Sequence, residues 1–166
     1  MNYVTIASDI SHDYDYKITT WACYIRHNGG LIQHSAQFND YQIKTAHAET
    51  YALINALVIA AKNVPNWENS TVIIYNEIEH VLEPIKTKAG NVRLRDKKRS
   101  EAILNVAIPI LESAKAWEKR DIKAHYSKWK ESTRRNAYFM NRWCDKEARS
   151  LLKYTRRKKK KEGCAY

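Results

Sequence analysis

The sequence predicts an α/β domain: a five-stranded mixed sheet, antiparallel hairpin strands first and parallel strands after, with helices packed on its faces. Three observations lead there. Strand-like runs fill the first third of the chain and are joined by a tight-turn signal. Helical and strand-like patterns alternate after it, and no repeat or flexible linker divides the 166 residues. Hairpin-joined strands pair antiparallel, whereas strands joined through a helix run parallel. A chain of this length supports one domain around a single core.

The elements follow in order. Tyr3–Asp9 is an apolar, strand-like run, and the polar stretch Ser11-His12-Asp13-Tyr14-Asp15-Tyr16 separates it from a second strand over Ile18–Arg26. His27-Asn28-Gly29-Gly30 leads into a third strand, Leu31–Phe38, and Asn-Gly marks a hairpin because it adopts φ > 0 at little steric cost. Residues 46–63 carry Tyr51, Ala52, Ile54, Leu57, Val58 and Ala61 at helical spacing, with Pro65 beyond to stop the helix near Asn63. Thr71–Tyr75 is a β-branched run of the kind buried on both faces of a sheet. A short helix is expected from about Glu77 to Lys86, followed by a loop through Ala89-Gly90-Asn91. Another helix is expected over 100–118, capped by Ser100 and kinked by Pro109. Asp121–Tyr126 reads as the fifth strand and 133–157 as a long last helix. The domain is set at 1–155, with 156–166 as a basic, flexible C-terminal tail.

Hydrophobic content of 44% is that of a folded chain. The net charge of +11 calls for a polyanionic partner, nucleic acid or an anionic membrane surface. The membrane is disfavoured, since the basic segments lack a matching exposed apolar face. The longest apolar stretch, Tyr51 to Ala61, is about 11 residues, against the roughly 20 that span a bilayer. Met1-Asn2-Tyr3-Val4 lacks the features of a signal peptide. Cys23, Cys144 and Cys164 are odd in number and scattered, which suits free thiols in a reducing compartment. A cytoplasmic monomer that faces nucleic acid is expected.

Four acids stand in recognisable local settings: Asp9 at a strand end, Glu49 in the first turns of a helix, Glu77 just after a strand and Asp145 within the last helix. Each has a bland explanation. Asp9 suits a turn, Glu49 and Glu77 complement helix dipoles, and Asp145 has Arg142 and Arg149 at ion-pair spacing. Together they offer oxygen ligands to a hard divalent cation, because carboxylates gathered in one place repel unless a cation lies between them.

Their order carries a family resemblance. Ile6-Ala7-Ser8-Asp9, Ala48-Glu49 with Ala52-Leu53 and Ala56-Leu57, Ile74-Tyr75-Asn76-Glu77 with Val81 and Ile85, Ile122-Lys123-Ala124-His125, and Asn141-Arg142-Trp143-Cys144-Asp145-Lys146-Glu147-Ala148-Arg149 follow one another as in type 1 ribonuclease H. The chain resembles that family from about residue 3 to 150. The resemblance implies a ribonuclease H-like fold and an endonuclease that hydrolyses the RNA strand of RNA–DNA hybrids with two Mg²⁺ or Mn²⁺ ions. It implies that Asp9 bridges the ions, Glu77 and Asp145 hold the ion that activates water, and Glu49 holds the ion facing the leaving group. His125 is implied as a proton shuttle or product-release residue, with an exposed histidine at a strand end as the alternative. Relatives carry Thr-Asp where this chain has Asn76-Glu77, and a one-residue slip would present Asn76 instead. Glu77 is the expected ligand.

Departures from the pattern bear on the substrate. Ile10–Tyr16 has no glycine where relatives bring backbone amides to the RNA strand, and Thr45-Ala46-His47-Ala48 replaces polar residues before the helix glutamate. The 2′-hydroxyl is what distinguishes RNA from DNA. Two alternatives therefore stay open: the same fold acting on DNA, a junction or double-stranded RNA, and a catalytically silent nucleic-acid-binding module. Lys86, Lys88, Arg93, Arg95, Lys97, Lys98 and Arg99 sit where relatives carry a basic protrusion, and are expected to bind a duplex backbone. Lys128-Trp129-Lys130, with Arg134-Arg135, reads as a basic flap with a stacking aromatic or as a solvated helix extension. The run Arg156–Lys161 either binds nucleic acid or solubilises the chain end.

Overall fold

Side chains alternate across a strand, and the central strands here are apolar on both faces, so the sheet must be covered on both sides. The computed structural model describes residues 1–164 apart from Ile43 and Ile85, and the backbone alone of Ala124, His125, Tyr126, Gly163 and Cys164. Strands β1 (Asn2–Asp13), β2 (Ile18–His27), β3 (Gly30–Gln37), β4 (Ser70–Asn76) and β5 (Ala116–Asp121) form one sheet in the order β3-β2-β1-β4-β5. β2 pairs antiparallel with β1 and β3, while β4 pairs parallel with β1 and β5. The α-helices are α1 (Thr45–Asn63), α2 (Lys97–Ala102), α3 (Ile108–Glu112), α4 (Ile122–His125) and α5 (Glu131–Cys164).

One face of the sheet presents Val4, Ile6, Cys23, Ile25, Val72 and Ile74 to Ala52, Leu53, Ala56, Leu57 and Ala60 of α1 and to Leu111 of α3. The other presents Ala7, Ala22, Tyr24, Ile73 and Tyr75 to Ala137, Met140, Cys144 and Ala148 of α5. The α5 residues recur every three or four positions, which makes the helix a lid along one stripe. Two polar bonds fix its register on the sheet: Thr20 Oγ1 donates to the Ala148 carbonyl at 2.6 Å and Cys144 Sγ to the Ala7 carbonyl at 3.5 Å.

Several expectations are corrected. β1 continues past Asp9 to Asp13, and the turn into β2 places Lys17 at φ 53°. Asn28-Gly29 closes the β2–β3 hairpin as expected, but the positive φ falls on Gly30, at 151°, and not on the Asn-Gly pair. Among the described residues of 77–86 no helix forms. The Asn76 side chain instead accepts the Ile78 N–H at 2.6 Å, and the His80, Val81 and Glu83 carbonyls accept from Arg99. Side-chain bonds of this kind compete with the helical ladder.

The expected helix over 100–118 ends at Glu112. Ahead of Pro109 it widens into a π-turn over Ile103–Ala107, a local adjustment of the backbone next to a residue that lacks an N–H. The fifth strand accordingly lies at Ala116–Asp121, not 121–126, and Ile122–His125 is helical. The helix α5 extends as far as Cys164, into the segment proposed as a basic tail. Arg156 approaches Asp13 at 3.4 Å, and Lys159 Nζ donates to the Tyr16 carbonyl at 2.6 Å.

Candidate active site and nucleic-acid interface

Where two parallel strands diverge at their carboxyl ends, a crevice opens that loops and helices can line. The β1–β4 ladder ends at Ala7↔Tyr75, whereas β1 stays paired with β2 up to Asp13↔Ile18. Asp9 lies two residues beyond that last pair, on the α5 face with Ala7. Glu77 leaves the end of β4 on the same side as Tyr75. Asn76 alternates to the opposite face, is buried, and spends its carbonyl on the Ile78 amide. Asp9, Glu77 and Asp145 thereby line one open cleft of about 490 Å³, together with Tyr138, Asn141, Arg142 and Arg149 of α5. The cleft takes Glu77 from the end of β4, and Asn76 is absent from its lining.

Glu49 approaches Asp9 from the start of α1 and is buried. Burial drives the Glu49 carboxyl up to about 9, with the Asp9 charge, a hydrogen bond to Asp9 and the Glu77 charge adding to it, and Lys123 opposing. Burial also raises Asp9 to about 6, with Asp145 and Glu77 pushing the same way; the Ile10 N–H, donating at 2.9 Å, and the bond from Glu49 oppose it. A protonated Glu49 donating to an ionised Asp9 is the arrangement these causes describe. A proton then does between two crowded carboxylates what a cation would otherwise do.

The other two acids are turned to protein partners. Asn141 Nδ2 donates to Glu77 Oε1 at 2.9 Å, and Arg149 holds Asp145 at 3.1 Å. Among the described residues, no three His, Cys, Asp or Glu side chains stand together as a ready cage for a metal. The donor chemistry suits a hard cation, since all four groups offer oxygen alone and the innermost pair already needs a counter-charge.

Sequence reasoning named the four acids but not Asn141 or Lys123 as their partners. Asn141 lies one helical turn before Asp145, which was the available signal. The side chain of His125 lies outside the described residues.

The proposed nucleic-acid contacts separate. Lys86, Lys88, Arg93, Arg95, Lys97, Lys98, Lys128 and Lys130 are exposed. Arg99 is a correction: it is 1% exposed, and its guanidinium donates to Thr50 Oγ1 at 2.8 Å and to the His80, Val81 and Glu83 carbonyls. With its donors so engaged, Arg99 has no fork left for a phosphate. Trp129 is half-buried and tilted against Tyr75 at 5.7 Å, so it closes the α5-side core and does not stand free as a stacking platform.

No family model matches the chain, and no curated protein matches its sequence. Solved structures do match. The N-terminal RNase H domain of a Mycobacterium tuberculosis protein, solved as a maltose-binding-protein fusion, aligns at 12% identity and TM-score 0.56 over 93% of this chain and 99% of that one. An RNase H1 isolated from compost by a metagenomic approach aligns at 16% identity and TM-score 0.56 over 89% and 99%. A protease–reverse transcriptase of prototype foamy virus aligns at 12% identity and TM-score 0.52 over 89% of this chain and 20% of that one. With the strand order β3-β2-β1-β4-β5 and its change from antiparallel to parallel pairing at β1, these likenesses establish that the chain has the type 1 ribonuclease H-like fold.

Proposed function

We propose that this chain is a metal-dependent endonuclease, a phosphodiester hydrolase that cuts the RNA strand of RNA–DNA hybrids. The observation that carries the reading is the Asp9–Glu49 pair, buried at the divergence of β1 and β4 and faced by Glu77 and Asp145. A fold gains no stability from crowding carboxylates there, so a cationic ligand is the natural reason for them. Asp9, Glu49, Glu77 and Asp145 would hold two Mg²⁺ or Mn²⁺ ions, which would neutralise charge at the phosphate and lower the pKa of bound water.

The chain's own residues do the rest. Glu49 would be ionised in the loaded site, and Glu77 and Asp145, now bound to Asn141 and Arg149, would turn from them to the ligand. Arg142 and Arg149 at the rim then face the phosphates of the bound strand. His125 would act as the proton shuttle or product-release residue that the family resemblance implies. Lys86, Lys88, Arg93, Arg95, Lys97 and Lys98 hold the duplex backbone, a sequence-independent contribution that weakens with salt.

A second reading is a silent nucleic-acid-binding module. It is favoured by the engagement of Glu77 and Asp145 with Asn141 and Arg149. One assay separates the readings, and also tests other duplexes as substrates: cleavage of a 5′-labelled RNA strand annealed to DNA, with Mg²⁺ or Mn²⁺, beside RNA–RNA and DNA–DNA duplexes. Metal-dependent cuts in the hybrid, abolished in Asp9→Asn, are expected. Cuts in another duplex alone would move the substrate. Salt-sensitive binding without turnover in any duplex would leave the silent module.

A further inference from the structure

A second surface on α5 adjoins the acid cleft. Phe139, Arg142, Trp143 and Lys146 follow one another at helical spacing and line a shallow hollow of about 270 Å³. Phe139 is 52% exposed, and Trp143 is half-buried. Both rest edge-on against the buried Tyr24 of β2, at 5.8 and 5.4 Å between ring centroids. The rings are held in place from beneath while part of each stays in water. Arg142 belongs to this hollow and to the acid cleft alike, and its guanidinium also lies 6.0 Å from the Tyr138 ring, itself 52% exposed. Cleft and hollow therefore share a rim.

Aromatics grouped in one exposed patch, unlike a lone exposed ring, mark a contact surface. The setting says what. Arg142 and Lys146 flank the rings, Arg135 and Arg149 are exposed along the same helix, and the chain carries +11 overall. An apolar protein face alone would leave those cations unmatched, whereas a nucleic-acid strand offers phosphates to the cations and a base face to each ring. Bases inside a duplex are stacked on one another, so rings of this kind reward a base that has left the duplex. From Asp145 back to Phe139 is six residues of helix, about 9 Å along its axis, so the strand would reach the hollow soon after leaving the cleft.

We propose that the Phe139–Trp143 hollow binds unpaired nucleotides that flank the duplex in the acid cleft, one base stacking on the rings and its phosphates meeting Arg142 and Lys146. The chemistry required is a single-stranded tail, and either a ribose or a deoxyribose tail supplies it. This rests on the chain binding nucleic acid at the cleft, and the test keeps the two apart.

Dissociation constants are measured by fluorescence anisotropy in the Asp9→Asn background for a blunt hybrid and for the same hybrid carrying a short RNA or DNA overhang at either end. An overhang at one end is expected to tighten binding roughly tenfold. Phe139→Ala and Lys146→Ala should each remove most of that ratio, while Tyr154→Ala, also an exposed aromatic on α5, should leave it intact. Melting curves of each variant check that the helix stays folded, and Phe139→Tyr should restore the ratio. The sugar of the effective overhang tells which strand uses the hollow. Overhang ratios near one in the parent protein, or ratios that Phe139→Ala leaves untouched, overturn the proposal even where the blunt hybrid binds and is cut. A Phe139→Ala variant that keeps the ratio but loses self-association would reassign the surface to a protein contact. Absence of binding to every nucleic acid would instead remove the reading on which the proposal rests.

Discussion

Asp9 and Glu49 are shielded from water; the Asp9 charge makes Glu49 harder to ionise, while the bond from Glu49 eases the ionisation of Asp9. An acid whose pKa is higher in the fold than in the unfolded chain binds more protons folded between those two values. Stability therefore falls as pH rises through that window. For Asp9 the window runs from 3.8 to about 6 and for Glu49 from 4.5 to about 9. Between pH 6.5 and 8.5 the Glu49 window is the one in play. The metal-free protein should melt lower at pH 8.5 than at 6.5 in EDTA, and added Mg²⁺ should recover the difference at pH 8.5. Glu49→Gln should flatten that slope and raise the melting temperature at pH 8.5 by a few degrees, since 1 kcal/mol corresponds to about 2–4 °C for a domain of this size. A parent protein whose melting temperature rises over that interval would remove the buried pair from the account. Asn141→Ala frees Glu77 from the partner it must exchange for the ligand, and should lower the metal concentration needed for half-maximal cleavage while leaving substrate affinity unchanged, read from cleavage over a metal titration.

At the scale of elements, Arg99 explains why the described residues just after β4, 77–84, are not helical. Its guanidinium draws the His80, Val81 and Glu83 carbonyls and the Thr50 hydroxyl into one buried knot that ties α1 to α2. In the sequence it is indistinguishable from Lys97 and Lys98 beside it. Charge runs do not reveal which member faces inward, because that depends on the helix phase and on distant carbonyls. Arg99→Met should cost about 2–4 kcal/mol of stability, since it orphans several buried acceptors. Urea denaturation checks this, and the salt dependence of binding should not change. β5 shows the same limit from the other side. Ala-Trp-Glu-Lys-Arg-Asp has little strand propensity, yet it pairs with β4 from Thr71↔Ala116 to Asn76↔Asp121. The open edge of β4 decides its conformation, as tertiary pairing often does for strands.

On the scale of the whole molecule, the charge is divided among distinct surfaces. Lys86, Lys88 and Arg93 are exposed ahead of α2, while Arg156 and Lys159 lean on Asp13 and Tyr16 at the far end of α5. Backbone binding scales with the phosphates neutralised, so a Lys86/Lys88/Arg93→Ala triple variant should weaken hybrid binding and reduce the slope of log K against log salt by about 2–3. Anisotropy titrations over a salt series measure it. An unchanged slope would place the duplex elsewhere on the protein.

The sequence by itself determined the sheet with its hairpin start, the helix that carries Glu49, the long helix that carries Asp145, and the four acids that the fold brings toward one crevice. These rest on periodicity, turn residues and ordered motifs, all of which are local signals. What only the tertiary structure decided was which neighbours those residues meet. Glu77 rather than Asn76 lines the cleft because β4 alternates in register with β1, and Asn141 meets Glu77 because α5 is pinned by Thr20 and Cys144. Arg99 turns inward to carbonyls, and Trp129 to Tyr75. Such contacts join residues tens of positions apart, and their partners are chosen by packing and by the need to satisfy buried polar groups, neither of which is written in the neighbouring sequence.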